Sequence, residues 1–355
     1  MRDFRRILIV KLTALGDILH ALPVVPYLRG AAPGMEIHWA VDARFAELLA
    51  GNPGIANVVP LPIRDWKGRA GHPGTWREVL DGVRTLRRAG YDAAFDIQGN
   101  LKSGLVTRLS GAPLRFGFDR DGVREAPNLL FTNRKVRLLP EDQHVGSRYL
   151  RVVSEPFGLV FDPAALPSGL PISPEDRAAA ASLVTELLRD AAPRVALHPG
   201  STWPTKKMPA GFWAETIRGL RNRLPGLGVA VSWGDEEERL EAREIRASAG
   251  GKVELLPRLS LRVLAAVYRE CGFVMAPDTG PLYIAAAAGA ATVSVFRATA
   301  GARNAPQGPR HRFLQAPLPC TACLRRRCER DAECRASISP VEMSEAMARL
   351  MERGP

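Results

Sequence analysis

The chain contains no stretch of the roughly 18 consecutive apolar residues needed to span a bilayer. Its N-terminus has no small-residue cleavage site after an apolar run, so it does not read as a secretory signal. A cytoplasmic location is the resulting expectation. Aromatic residues make up only 6% of the 355 residues and are not interleaved with the basic ones. With no recognition-helix motif either, nucleic acid is not an expected partner. Short repeats and low-complexity tracts are absent. The first strand-to-helix turn lacks G-x-G-x-x-G, so no dinucleotide fingerprint is met, and no P-loop pattern occurs.

What is present is ordinary globular material. Hydrophobic residues make up 46% and charged residues 24%. The length favours two domains. The formal charge is +12, with a pI near 10. A GC-rich coding sequence enriches Arg, Ala, Gly and Pro and would account for part of this. Anionic lipid and phosphorylated substrates are the other reasons for such a balance.

Strands alternate with helical patterns twice. The first series runs "RILIVKL", "EIHWAVD", "NVVPLPI" and "YDAAFDIQG", with helical stretches between. The second runs "RVALHPG", "GVAVSWG", "KVELLP", "GFVMAPDTG" and "ATVSVF". Alternation of this kind predicts parallel, doubly wound sheets. Between the series, Glu155 to Arg177 is rich in Pro and Gly and ends in a helix start at Ser173-Pro174. The expected division is 1–165 and 166–335, both Rossmann-like, with an amphipathic closing helix over 336–355. Ligands of such sheets bind outside the carboxyl ends of the strands.

The strand ends are where chemistry concentrates. "HPGSTWPTKK" offers His198, Gly200, Ser201, Thr202 and Lys206: small residues, hydroxyls and a cation suited to phosphate. "WGDEEER" offers Glu236, whose carboxylate suits ribose hydroxyls or is one charge on a solvated helix face. "APDTGPLYI" places Asp278, Thr279 and Gly280 before a small-residue helix, where amides and a hydroxyl suit an anion or form a plain N-cap. In "VKLTALGDILH", Asp17 stands near a helix start. It reads as an N-cap or as a general base that takes a hydroxyl proton. His20 lies on the same helical side, as a supporting partner or as a surface histidine.

Taken together, "ILIVKLTALGDILHALP", "YDAAFDIQGNLKSGLVTRLSG", "RFGFDRDGVRE", "HPGSTWPTKKMP", "WGDEEER" and "APDTGPLYIAAAAG" resemble the ADP-heptose glycosyltransferases of family 9, the lipopolysaccharide heptosyltransferases. "IRDWK" and "WGDEEER" are closer to the first inner-core transferase than to the second. The resemblance implies an α/β GT-B architecture, two facing Rossmann-like domains with the active-site cleft between them. It implies inverting transfer of L-glycero-D-manno-heptose from ADP-heptose to the Kdo-lipid A inner core, with no cofactor required. Asp17 becomes the base. Ser201, Thr202, Lys206, Glu236, Asp278, Thr279 and Gly280 become donor contacts, with Glu237 and Glu238 as alternatives to Glu236. Arg64, Lys67, Arg124 and Arg148 become acceptor contacts for carboxylates and phosphates. A peripheral position on the anionic inner membrane follows from that acceptor. Heptosyl transfer to a protein, or a non-catalytic family member, stay open. One departure from the family pattern is Tyr283, where histidine is usual.

Four of the five cysteines, Cys320, Cys323, Cys328 and Cys334, are spaced C-x2-C-x4-C-x5-C. Such a cluster reads as a structural zinc or iron knuckle, as reduced thiols, or as oxidised pairs. Cys271, among apolar residues, reads as core.

Overall fold

A computed structural model describes residues 4–68, 72–162, 166, 169–352 and 354. The chain divides into two compact units, positions 1–171 and 172–355. The expected boundary at 165/166 involves position 165, which lies outside the described residues.

The first unit is built on six parallel strands: β1 (Arg6–Val10), β2 (Glu36–Asp42), β3 (Asn57–Leu61), β4 (Ala93–Asp96), β5 (Leu114–Phe118) and β6 (Arg134–Val136). Their spatial order is β3-β2-β1-β4-β5-β6. Helices cover both faces of such a sheet, so its central strands are uniformly apolar rather than alternating. Accordingly Ile7, Leu8, Ile9 and Val10 are all fully buried. The chain winds outward from β1 in one direction and from β4 in the other. Between them lies the switch point, where the loops diverge and leave a crevice. The register pairs Val10 with Asp96, so the loops after β1 and β4 leave the sheet side by side.

The second unit repeats the plan with β7 (Arg194–Leu197), β8 (Gly228–Val231), β9 (Val253–Leu255), β10 (Phe273–Pro277), β11 (Ala291–Phe296) and β12 (His311–Gln315). The order is β12-β11-β10-β7-β8-β9, again all parallel. Its switch point lies between β7 and β10, where Leu197 pairs with Met275. The helix Pro174–Leu187 opens this unit with Ser173 as N-cap, its hydroxyl accepting from Asp176 N–H. The closing helix, Pro340–Glu352, packs on the helix Ala210–Arg223 through Met343 and Met347, both fully buried. It belongs to the core of this unit. Trp213, fully buried in the same core, is its largest apolar side chain.

Candidate active site

In the first unit, β1 ends at Val10 and the helix Leu15–Ala21 starts five residues later. The loop between is fixed from its neighbours. Gln98, just past β4, accepts N–H bonds from Leu12 at 2.7 Å and Thr13 at 3.0 Å. Trp39 Nε1 donates to the Lys11 carbonyl at 3.3 Å. Asp96 is fully buried and accepts from Gln98 N–H, Gly99 N–H, the Ser103 hydroxyl and the Asn128 amide. Gly99 has φ +72 and no room for a Cβ beside Phe118 and the Arg124 backbone, so this turn requires glycine.

That loop presents Asp17 in the first helical turn. Its Oδ1 accepts the Tyr149 hydroxyl at 3.1 Å, and its Oδ2 lies 3.3 Å from Ala14 N and 3.8 Å from Lys11 Nζ. Lys11 is buried and donates to Tyr149 Oη at 2.8 Å. Tyr149 comes from the helix Val145–Ser154. Burial pushes the Lys11 ammonium down to about 8, against the pull of Asp17 and Asp96. Burial also pushes the Asp17 carboxyl up. The charges of Lys11 and His20 and the bonds from Ala14 and Tyr149 outweigh it, so the carboxyl lies below its ordinary value. The Asp17 side chain keeps 30% exposure. An ionised, partly open carboxylate at a switch point is equipped to accept a proton.

Arg148 precedes Tyr149 on the same helix, half-buried, and donates to the Gly122 carbonyl at 3.0 Å. Arg124 is exposed; its N–H bonds to the Gly99 carbonyl, and its charge acts on Lys11. Arg124 therefore stands near the Asp17 cluster, while Arg148 meets the Gly122 carbonyl and the Phe118 ring. Arg64 is exposed on the helix Ile63–Gly68, and no described hydrogen bond or ion pair joins it to that cluster. The Lys67 side chain lies outside the described residues.

In the second unit, Asp278 is the hub. Its carboxylate meets Lys206 Nζ at 2.7 Å, the Thr299 hydroxyl at 2.5 Å and the Tyr283 hydroxyl at 2.5 Å. Its carbonyl accepts the Ser201 hydroxyl at 3.2 Å. Thr202 is exposed beside it in sequence. Thr279 is the N-cap residue of the helix Gly280–Ala287 but makes no side-chain cap bond, with Pro281 in the first turn. Neither Asp278 nor the Thr279 side chain is therefore spent on capping, and the helix start keeps amides for an anion. Tyr283, at the position where the family pattern has histidine, acts as a brace for Asp278.

The three glutamates of "DEEER" separate by what they touch. Glu238 turns inward: it accepts Gly234 N–H at 2.7 Å, lies 3.8 Å from His198 Nε2, and occupies the space a Cβ on Gly200 would fill. Burial raises its carboxyl and lowers His198 to about 4, so the contact is not an ion pair at neutral pH. Glu237 pairs with Lys207 at 3.2 Å. Glu236 is exposed, and among the described residues its ion-pair partner is Arg239, i,i+3, at 3.1 Å.

The cysteine-rich segment lies beside the Lys206 loop. All four clustered cysteines line one small cavity of about 20 Å³. Yet among the described residues no three or more His, Cys, Asp or Glu are gathered to hold a metal ion. This arrangement of the described residues gives the expected zinc or iron knuckle no support. Cys320 and Cys323 are turned outward, while Cys334 leans on the unit's core. Cys271 is buried, as a core residue should be.

Three comparisons bear on this arrangement. The family model Glycosyltransferase family 9 (heptosyltransferase) matches residues 79–332. The chain belongs to this family. Lipopolysaccharide heptosyltransferase 1 of Pseudomonas aeruginosa is 33% identical, over 91% of this chain and 87% of that one. The structure of E. coli heptosyltransferase WaaC with ADP-2-deoxy-2-fluoro heptose is 29% identical, with a TM-score of 0.72, over 90% of this chain and 97% of that one. The same enzyme with ADP gives a TM-score of 0.79 at 26% identity, over 97% of this chain and 99% of that one. The two six-stranded parallel sheets are thus the GT-B architecture. The chain is a glycosyltransferase of the lipopolysaccharide heptosyltransferase family.

Two residues of these sites escape motif reading. Tyr149 is 132 positions from Asp17 and has no local signal. Thr299 follows a strand end that carries no motif. Lys11, by contrast, carries a signal, as a lysine at the tip of a fully apolar strand.

Proposed function

We propose that this protein transfers L-glycero-D-manno-heptose from ADP-heptose to Kdo of the lipopolysaccharide inner core, with inversion at the anomeric carbon. The acceptor hydroxyl attacks that carbon on the face opposite ADP, and Asp17 takes its proton. Asp17 is the observation that carries the reading: an ionised carboxylate, held by Tyr149 and Lys11, with an open edge at a switch point.

Departure of ADP builds charge on the diphosphate. Lys206 and the amides at Gly280 supply positive potential there, the largest expected electrostatic contribution. Ser201, Thr202 and Thr279 add hydroxyls. Lys206 is engaged by Asp278, so the diphosphate competes for that ammonium. Glu236 takes the ribose hydroxyls: Glu238 is turned inward onto Gly234 N–H and Glu237 pairs with Lys207, while the exposed Glu236 has a local i,i+3 partner, Arg239, that a ligand can displace. Arg124 and Arg148, with Arg64 and Lys67, hold the acceptor's carboxylates and phosphates. The work is done at the cytoplasmic face of the inner membrane, where a charge of +12 favours anionic headgroups. No helix among the described residues is long and apolar enough to cross a membrane, which suits a peripheral protein.

The test is transfer from ADP-heptose to Kdo2-lipid A, with Asp17→Ala alongside. Product from the wild type and a loss of roughly a hundredfold or more in the variant is the expected result. ADP-heptose binding without product would remove the acceptor assignment. Equal activity in the variant would remove the base.

A further inference from the structure

The transfer reaction leaves the cysteine cluster unused, yet the cluster is joined to the Lys206 loop by several contacts. Cys320 and Cys323 are exposed, and Arg330 Nη1 lies 4.0 Å from Cys320 Sγ. A guanidinium beside a sulfur marks the surroundings of reactive cysteines. Two residues of this turn that carry a Cβ, Ala322 and Leu324, both have φ 57. That left-handed conformation is strained for both, so the turn is held by its surroundings. The holding bonds run from Ala322 N–H to the Arg297 carbonyl at 3.0 Å and from Leu324 N–H to the Ala298 carbonyl at 2.8 Å.

From there the connection to the donor loop is direct. The buried Arg297 guanidinium donates to the Lys207 carbonyl at 2.7 Å and to the Asp331 carboxylate at 2.5 Å. The Thr205 hydroxyl donates to the Arg325 carbonyl at 2.6 Å. Arg326 lies 5.0 Å from the Trp203 ring, whose centroid is 4.6 Å from Lys206 Nζ.

We propose that Cys320 and Cys323 are a dithiol–disulfide pair whose oxidation weakens donor binding at the Lys206 loop. The inference rests on the reading of that loop as the ADP site. The oxidant is a peroxide. The Cys320 thiolate attacks one peroxide oxygen, and the other leaves as water, giving a sulfenic acid. The Cys323 thiol then attacks that sulfur and a second water leaves. Two thiols and one hydrogen peroxide give one disulfide and two waters. Both thiols line the same small cavity, and a disulfide needs their Cβ atoms about 3.8 Å apart, so closing it tightens the turn across Ala322. That movement pulls on the Arg297 and Arg325 contacts, and so on the donor loop at Thr205 and Lys206.

The full chain is reduced, and ADP affinity is measured by calorimetry. It is then treated with one equivalent of hydrogen peroxide, cleared of reagent and measured again, with free thiols counted. The expected result is two thiols lost, ADP affinity weakened by about fivefold or more, and recovery with dithiothreitol. Cys320→Ser/Cys323→Ser binds ADP like the reduced wild type and does not respond to peroxide. Cys323→Ala, which also cannot close the disulfide, serves if the double variant does not fold. Unchanged affinity after loss of two thiols overturns the inference and spares the donor site. A response that persists in the double variant also overturns it, as does one zinc per chain protecting the thiols. A reduced chain that fails to bind ADP removes the donor reading and this inference with it.

Discussion

Each unit sets an aspartate at its switch point between a lysine and a tyrosine. In the first, Asp17 has Tyr149 at 3.1 Å and Lys11 at 3.8 Å, and keeps 30% exposure. In the second, Asp278 has Lys206 at 2.7 Å, hydroxyls of Tyr283 and Thr299 at 2.5 Å, and only 7% exposure. The same three residue types thus give opposite characters. In the first unit the lysine is the buried member and the carboxylate is open. In the second the carboxylate is enclosed and the lysine is the more exposed member, at 16%. On the proposed reading the open carboxylate takes the proton and the enclosed one organises the cation that meets phosphate. Placement along the strand-to-helix turn decides which.

The largest effect that separates the two is structural. Asp278→Ala leaves Lys206, Tyr283 and Thr299 without their common partner. Breaking a buried, hydrogen-bonded charge pair costs about 3–5 kcal/mol, so chemical denaturation should show a large loss for this variant. Asp17→Ala should change stability by much less, since its contacts are longer and more exposed. Equal losses in both would erase the distinction.

Next in size is Lys206→Met. If Lys206 offsets diphosphate charge as proposed, its removal should weaken ADP binding by roughly 2–4 kcal/mol in calorimetry. Lys11→Met should leave ADP binding close to wild type. Its effect belongs to the acid limb of kcat/KM, which should move to higher pH because the charge that lowers the Asp17 carboxyl is gone. Tyr149→Phe should move the limb the same way by less, since it removes one hydrogen bond and no charge. An unshifted limb in Lys11→Met would mean that another group sets it.

The two units also differ in stability against pH. His198 titrates near 4 in the folded chain and near 6.5 in its ordinary state. The unfolded chain therefore binds more protons between those values, and this group makes stability rise with pH across that window. Lys11, at about 8 against 10.5, does the same between pH 8 and 10.5. Glu238, raised by burial, opposes the His198 slope. His198→Asn should flatten the acid window and leave the alkaline one. Lys11→Met should do the reverse. Denaturation midpoints measured across pH would show both.

Most of the two sheets can be read from the chain, because buried parallel strands are written as unbroken apolar runs. Strand β5 is interrupted by Arg115 and Gly117, and β6 and β12, "RKV" and "HRFLQ", are short and polar, so none of the three stands out. Motifs at the strand ends single out Asp17, Lys206 and Asp278, because strand, turn and helix start follow one another locally. Tyr149 is hidden, since its bond to Asp17 forms only when distant helices meet the sheet. The choice among Glu236, Glu237 and Glu238 also needs coordinates, because neighbouring helical residues point in different directions. The cysteine spacing suggests a metal knuckle, but spacing does not fix where sulfurs point.

The most direct test of the contrast is ADP affinity and turnover measured on one preparation of Asp17→Asn. The expected result is ADP affinity within about twofold of wild type and turnover reduced by roughly a hundredfold or more. Turnover near wild type, or a loss of activity explained wholly by lost ADP affinity, would contradict it.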